Sequence, residues 1–316
     1  LTLICDNEIF PAVDAKLATE DMTAWYYQAG DEEEWTTGGS QLRIGRNYNG
    51  ITNSVGILFE APQQELATGA RAGYLGYSAV VEWVAQNAEH LIQTVNDARA
   101  ETIAMGAAPY GQIAVEMEYA AEDYPVDYQF VRGGGFRDPP GTRIDTVSVT
   151  GGRLMKKAVA TKFRDRPWAY LLPRDAESAV AMLLRHGITV ERLVEAKTLE
   201  VQAYTVADVK YERQYNHAAV TRIQVGEVLN QTRVFPVGTY VVPTAQNLGR
   251  LVTHMLEVET EDNVVYWNTM DAWIPRPRTA PAAGGRGQQQ TGAPVSPIFK
   301  LMTPTNLSSQ VIDPEG

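Results

Sequence analysis

The residues best placed to do chemistry lie between positions 35 and 60, WTTGGSQLRIGRNYNGITNSVGILFE. A polar, glycine-rich stretch carries Arg46, Asn47 and Tyr48 and leads into the short apolar run 55–59, which ends on Glu60. An apolar run after a polar loop suits a buried strand, and Pro62 closes it. A carboxylate leaving such a strand sits at the rim of a sheet, where open α/β folds bind ligands. Partial desolvation there would raise its pKa and suit it to general-base work. Arg46 brings the planar fork that grips a carboxylate through two bonds. The same residues also fit a plainer arrangement, a solvated glutamate in the loop after a strand.

The other candidates are sparse. The chain has four histidines, His90, His186, His217 and His254, with no H-x-x-x-H pair. One H-x-x-E exists, His254 to Glu257. Its spacing puts both side chains on one helix face, where they could ligate zinc or simply sit as a surface pair. Cys5 is the single cysteine, so neither an intrachain disulfide nor a cysteine-rich zinc site can form. No G-x-x-x-x-G-K-[ST], G-x-G-x-x-G or G-x-S-x-G occurs, which removes phosphate-cradling loops and hydrolase elbows.

The elements that must position these residues follow from periodicity. Residues 14–29 read as a helix with Leu17, Met22 and Trp25 on one face. Residues 77–104 read as the strongest helix, with Val80, Val84, Ala88, Leu91 and Val95 in one stripe. Between 111 and 165, short alternating runs separated by Gly and Pro predict β structure. Two later segments, 168–187 and 238–257, each read as a tyrosine-bearing strand, a proline and an amphipathic helix. Strand-like runs at 199–207 and 218–229 lie between them. From Pro275 the composition turns to Pro, Gly, Gln and Ala, an extended arm. The expected organisation is an α/β half-domain over 1–106, a β-rich domain over 107–165, an α+β domain over 166–274 and a Pro/Gly-rich tail over 275–316.

Composition bounds the partners. The chain has 316 residues and a formal charge of −11, which disfavours a nucleic-acid backbone or an anionic membrane as partner. No apolar run reaches the roughly 20 residues of a membrane-spanning helix.

The 35–60 segment resembles the C-terminal part of the catalytic domain of zinc carboxypeptidases of the M14 type. Gly38 and Gly39, then 47–51, then 57–60 correspond to that family's Gly-Gly loop, its Tyr-Asn-x-Gly-Ile-like stretch and its strand ending in the catalytic glutamate. AYLLP (169–173), LLRHGITVERL (183–193) and TRVFPVGTYVVPTAQNLGRLVTHMLEVETED (232–262) are similar to segments that follow the catalytic domain in larger bacterial members. The resemblance extends over residues 1–275. It implies that Glu60 is the general base and acid acting on a zinc-bound water, and that Arg46 and Asn47 help bind the terminus of a peptide or protein substrate. Trp35 stands nearest the place of the family's flap tyrosine, which is absent. The family's zinc ligands are an H-x-x-E pair and a later histidine, all upstream of the glutamate. No histidine precedes His90 here. The zinc ligands are therefore expected before Leu1, in the same polypeptide or a companion half-domain chain. Half of a parallel sheet would expose a strand edge, which invites pairing. The alternative is a non-catalytic structural or binding subunit that self-assembles through strand edges and its tail. The resemblance also implies a secreted or periplasmic protein.

Overall fold

A computed structural model describes residues 1–61, 64–133, 138–139, 142–214, 217–274 and 294–313. They form two compact units that interleave along the chain. The first comprises Leu1–Asp97 and Met117–Thr161, the second Ala98–Glu116 and Lys162–Gly316.

The first unit begins with α1 (Thr2–Ile4), a π-helical turn (Cys5–Ile9) and α2 (Phe10–Ala18) in one run. The helix expected over 14–29 stops early. Asp21 takes the left-handed conformation at φ 54°. The Met22 N–H donates to Leu17 O at 3.1 Å and the Asp21 N–H to Ala18 O at 3.3 Å. That pair of bonds is a Schellman closure, and Met22 packs on the cluster that holds Leu17. The 17/22 spacing thus marks an apolar contact across a helix end, not a continuing stripe.

Strands β1 (Gln28–Gly30) and β2 (Glu34–Thr37) form a hairpin. Asp31 Oδ1 accepts from the Glu33 and Glu34 N–H groups at 2.8 and 2.9 Å, so the acidic stretch is a tight side-chain-closed turn. Those two N–H groups hold the Asp31 carboxyl below its ordinary pKa. Helix α3 (Gly45–Ile51) follows.

Residues 55–59 are not a strand, which corrects the expectation above. The segment takes no regular secondary structure and belongs to no sheet. Val55, Ile57 and Phe59 pack on the helical cluster of Ile4, Ile9, Val13, Leu17, Leu75 and Ala79, while Leu58 faces outward. The alternation is that of a strand, but helices supply the apolar partner. Pro62 lies outside the described residues.

The helix expected over 77–104 is two helices, α4 (Leu66–Gln86) and α5 (Ala88–Ala107). Asn87 separates them. Its backbone N–H and its side-chain amide both donate to Trp83 O, at 2.9 and 2.8 Å, which ends α4 with a side-chain bond in place of the next turn.

The β-rich stretch then supplies β3 (Gln112–Ala120), β4 (Val126–Arg132), β5 (Asp145–Met155) and β6 (Lys157–Asp165). Strands β3 and β6 form a two-stranded sheet. The other sheet runs β1-β2-β5-β4, with β2 and β5 parallel.

The second unit is built on a seven-stranded sheet in the order β10-β9-β12-β7-β11-β8-β13. Its elements are β7 (Ala169–Leu172), α6 (Glu177–Arg185), β8 (Glu191–Leu193), β9 (Lys197–Glu212), β10 (Val220–Phe235), β11 (Tyr240–Pro243), α7 (Gly249–Leu256), β12 (Phe299–Leu301) and β13 (Ser309–Val311). The two expected strand–helix units are β7–α6 and β11–α7. Their strands pair antiparallel, Tyr240 opposite Leu172 and Val242 opposite Tyr170. The expected runs at 199–207 and 218–229 belong to β9 and β10.

The Pro/Gly-rich stretch 275–293 lies outside the described residues. The chain beyond it is part of the fold. Strand β12 sits between β7 and β9, and β13 pairs with β8. Phe299 and Leu301 join the core of Ala169, Leu171, Val201 and Val241.

Lys300, between those two apolar residues, points to the other face. It is 2% exposed, and its Nζ lies 2.7 Å from the fully buried carboxylate of Glu257, just past the end of α7. The Tyr170 and Tyr204 hydroxyls donate to Glu257 at 2.6 and 2.8 Å. Lys300 also donates to Asp165 O at 2.8 Å and Tyr204 Oη at 2.9 Å. Every charge in this knot has partners, as burial demands.

Two outcomes follow from this knot. Lys300→Met leaves a buried carboxylate without its cation and should cost about 3–5 kcal/mol in urea unfolding, with much of the loss restored by adding Glu257→Gln. Burial, followed by the Glu257 charge, raises both phenol pKa values above their ordinary 10.0. A raised folded-state value gives stability that is complete below the unfolded pKa and is lost above it. Stability should therefore fall as pH rises past about 10, and Tyr170→Phe should flatten that fall.

Candidate functional site

All four residues singled out in the sequence lie in the first unit. Arg46 and Asn47 occupy the first turn of α3, and both reach back to the glycine pair. The Asn47 amide donates to Gly39 O at 2.8 Å and to Gln41 O at 3.0 Å. Arg46 Nη2 donates to Gly39 O at 3.4 Å, and its guanidinium carbon lies 5.7 Å from the centre of the Tyr27 ring. A Cβ on Gly38 would collide with the Arg46 guanidinium. The glycine therefore lets the arginine lie flat on the loop backbone.

The loop has a further fastening, from a residue far away in the chain. The Tyr119 hydroxyl, on distant β3, donates to Gly38 O at 3.2 Å. Trp35, on β2, donates its indole N–H to Tyr26 O at 2.7 Å and meets Trp25 and Tyr128 edge-on. Its polar atom is used structurally, so it offers only its ring to a ligand.

Glu60 follows the 55–59 segment. It is exposed to solvent, so the desolvation expected of a strand-end carboxylate does not arise. Phe59 beside it packs on Tyr77 of α4 at 5.3 Å between ring centres, which fixes the backbone that carries the glutamate. The structure thus brings Arg46, Asn47 and the Gly-Gly loop together and presents Glu60 to water on a braced strap.

The H-x-x-E pair is committed elsewhere. His254 Nε2 donates to Glu261 O at 2.7 Å, and Glu257 is held by Lys300 and two tyrosines. Burial holds the His254 imidazole below its ordinary pKa, which favours the neutral donor seen here. Among the described residues, no group of three or more His, Cys, Asp or Glu side chains could hold a metal ion. These residues therefore do not fit a zinc site.

The second unit carries a polar cleft of about 510 Å³. Its charged walls are largely internally neutralised. Lys162 bridges Glu116 and Glu259 at 3.0 and 2.7 Å, and Arg222 meets Glu212 at 2.5 Å. Among the described residues, no helix is long and apolar enough to cross a membrane.

No family model matches the chain, and no solved structure does. Among curated proteins it is similar to the probable carboxypeptidase 2 of Arthroderma benhamiae, at 22% identity over 241 residues, covering 71% of this chain and 41% of that protein. The carboxypeptidase 2 of Trichophyton tonsurans is 21% identical over 241 residues, covering 71% and 40% respectively. The probable carboxypeptidase 2 of Trichophyton verrucosum is 21% identical over 239 residues. The chain spans about two fifths of the length of these relatives.

Proposed function

We propose that this chain is part of a carboxypeptidase-like hydrolase that cleaves the C-terminal bond of peptides or proteins, with Glu60 as its general base and acid. The observation that carries this reading is the similarity to proteins named carboxypeptidase over 71% of the chain. The exposure of Glu60 agrees with it, because a general base must reach both water and substrate. Glu60 takes a proton from the water that attacks the scissile carbonyl. It then delivers that proton to the leaving amine, so the peptide bond is exchanged for a carboxylate and a free amino acid.

Arg46 has five N–H donors and uses one on Gly39 O, which leaves its fork able to take a substrate carboxylate. Asn47 holds the loop on which that carboxylate would rest. Trp35 is the aromatic wall nearest the family's flap position. The zinc implied by the resemblance would have to be held by residues other than those described, and no step above runs through it. A secreted or periplasmic location belongs to the same reading.

A second reading is a non-catalytic assembly subunit whose partner is another copy of this chain. It is favoured by Tyr74, Tyr77 and Val81, which share a face of α4 and are 61%, 61% and 66% exposed. Strand β12 is enclosed between β7 and β9, whereas β13 is an edge strand of its sheet and keeps one side for pairing with another chain.

Two measurements separate the readings. On natively purified protein carrying this chain, release of C-terminal amino acids from N-blocked dipeptides should fall about 10²–10⁴-fold in Glu60→Gln with the fold intact. Arg46→Lys, which keeps the charge and loses the fork, should raise KM several-fold with little change in kcat. Full activity in Glu60→Gln would overturn the catalytic reading. Light scattering of the chain tests the other: a dimer that Val81→Glu turns into a monomer supports it, and a wild-type monomer removes it.

A further inference from the structure

Strand β10 forms one edge of the seven-stranded sheet. It runs for 16 residues and pairs with β9 along its length, from Val220 opposite Glu212 to Phe235 opposite Lys197. Its other side meets no strand among the described residues. An open edge of this length is a template for another chain, and proteins ordinarily blunt it with lysine, proline or a bulge. The irregularities of β10 lie between Gln224 and Val228. From Val228 to Phe235 the register is regular, and the stretch holds neither lysine nor proline.

The hydrogen bonds of β9 show which backbone groups of β10 point off the edge. Tyr204 O accepts from the Ser296 N–H at 2.8 Å, and the Val206 N–H donates to Pro294 O at 2.7 Å. Both bonds flank the Thr205–Val295 bridge, on the side of β9 away from β10. Tyr204 therefore turns its backbone away from Val228, its partner in the register. In an antiparallel ladder such pairs alternate with hydrogen-bonded ones. Leu229, Gln231 and Arg233 thus bond to β9, while Val228, Asn230, Thr232 and Val234 point their N–H and C=O groups outward. All four outward residues are exposed, Val228 by 44% and Val234 by 63%.

The side chains of this edge are complementary to themselves. Glu227 and Arg233 lie on one face by strand alternation, and they stand symmetrically on either side of Asn230. Both are exposed, and neither joins an ion pair among the described residues. A two-fold axis through Asn230 would set two β10 strands antiparallel. Asn230 would pair with itself, Val228 with Thr232 and Glu227 with Arg233. The first two pairings bring outward groups together, and each such pair exchanges two N–H···O bonds. The Glu227–Arg233 pairing falls at a non-hydrogen-bonded position, where cross-strand side chains come closest, and symmetry makes it occur on both sides of the axis. Any other two-fold register takes Glu227 away from Arg233.

We propose that β10 is a homodimer interface, at which two copies of this chain pair their β10 strands antiparallel about Asn230 and join their sheets into one. The formal charge of −11 opposes indiscriminate self-association, and the Glu227–Arg233 pairs supply the local attraction that selects this register. The interface lies in the second unit and rests neither on Glu60 nor on the exposed face of α4.

Sedimentation velocity on natively purified protein carrying this chain, over a micromolar dilution series, tests the proposal. A reversible monomer–dimer equilibrium is expected. Thr232→Pro removes an outward N–H that β9 does not use, so the fold survives while the dissociation constant rises about tenfold or more. Arg233→Glu and Glu227→Arg each set like charges opposite one another and should weaken the dimer, and combining them should restore it. If Thr232→Pro changes the far-UV circular dichroism, the charge swap decides alone. A wild-type monomer throughout, a dimer unmoved by a folded Thr232→Pro, or a double variant no better than the single ones overturns the proposal. A dimer lost in Val81→Glu but kept in Thr232→Pro also overturns it and assigns the contact to α4.

Discussion

The pairing of Lys300 with Glu257 is the constraint on which the second unit depends. Strand β12 is three residues long, too short to choose its place by backbone bonds alone. Phe299 and Leu301 would suit many apolar surfaces. Lys300 suits only one, because a buried ammonium needs a carboxylate with its other lone pairs already answered. Glu257 meets that requirement through Tyr170 on β7 and Tyr204 on β9, the two strands that flank β12. The ion pair therefore fixes both the register of β12 and its position in the sheet. Glu257 also follows the C-terminal turn of α7, where a negative charge opposes the helix dipole. The lysine offsets that conflict, so helix, strand and charge are consistent only when assembled.

This knot was not legible in the sequence, although its neighbourhood was. The strands around Tyr170 and Tyr240 and the helices after them were readable because apolar runs, prolines and helical stripes all pointed the same way. Lys300 follows a Pro/Gly-rich stretch and sits in a short run whose partners are far away in the chain. Nothing in local composition distinguishes such a lysine from a solvated one. The misread elements failed for a related reason. The 14–29 helix was inferred from apolar spacing, which a Schellman closure at Asp21 satisfies as well as a continuing helix does. The 55–59 run has the alternation of a strand, but whether an alternating run pairs with strands or packs on helices is decided by its partner. Asn87 breaks a long stripe by bonding its own side chain to Trp83 O, a competition that a periodicity count does not register.

The candidate site shows the same division. The nearness of Arg46 and Asn47 to the Gly-Gly pair was visible, because all four fall within ten residues of sequence. Their immediate task is to hold that loop closed, and the loop's third fastening, Tyr119, comes from a strand far along the chain. Glu60 stood out through family resemblance more than through physical chemistry. By its environment it is an exposed carboxylate on a braced segment. The H-x-x-E at 254–257 was readable as a spacing but not as chemistry. Its two members face different partners, the histidine a backbone carbonyl and the glutamate a lysine and two tyrosines.

The junction at Thr244 carries this argument furthest. Three segments meet there at distances that exclude side-chain atoms: α5 through Gly106, the start of α7 through Gly249, and the approach to β7 through the Thr244 hydroxyl. Close backbone contact of this kind is normally reached with small residues alone, because a tight junction leaves no room for water around long polar side chains. This chain instead places Arg166 and Arg250 beside it, and each has an inner nitrogen without a partner. Packing alone does not require this, since an apolar residue at position 166 would avoid the cost of dehydrating a guanidinium. The glycines and the threonine thus fix the backbone at this junction, and the two arginine side chains carry the cost of that close approach.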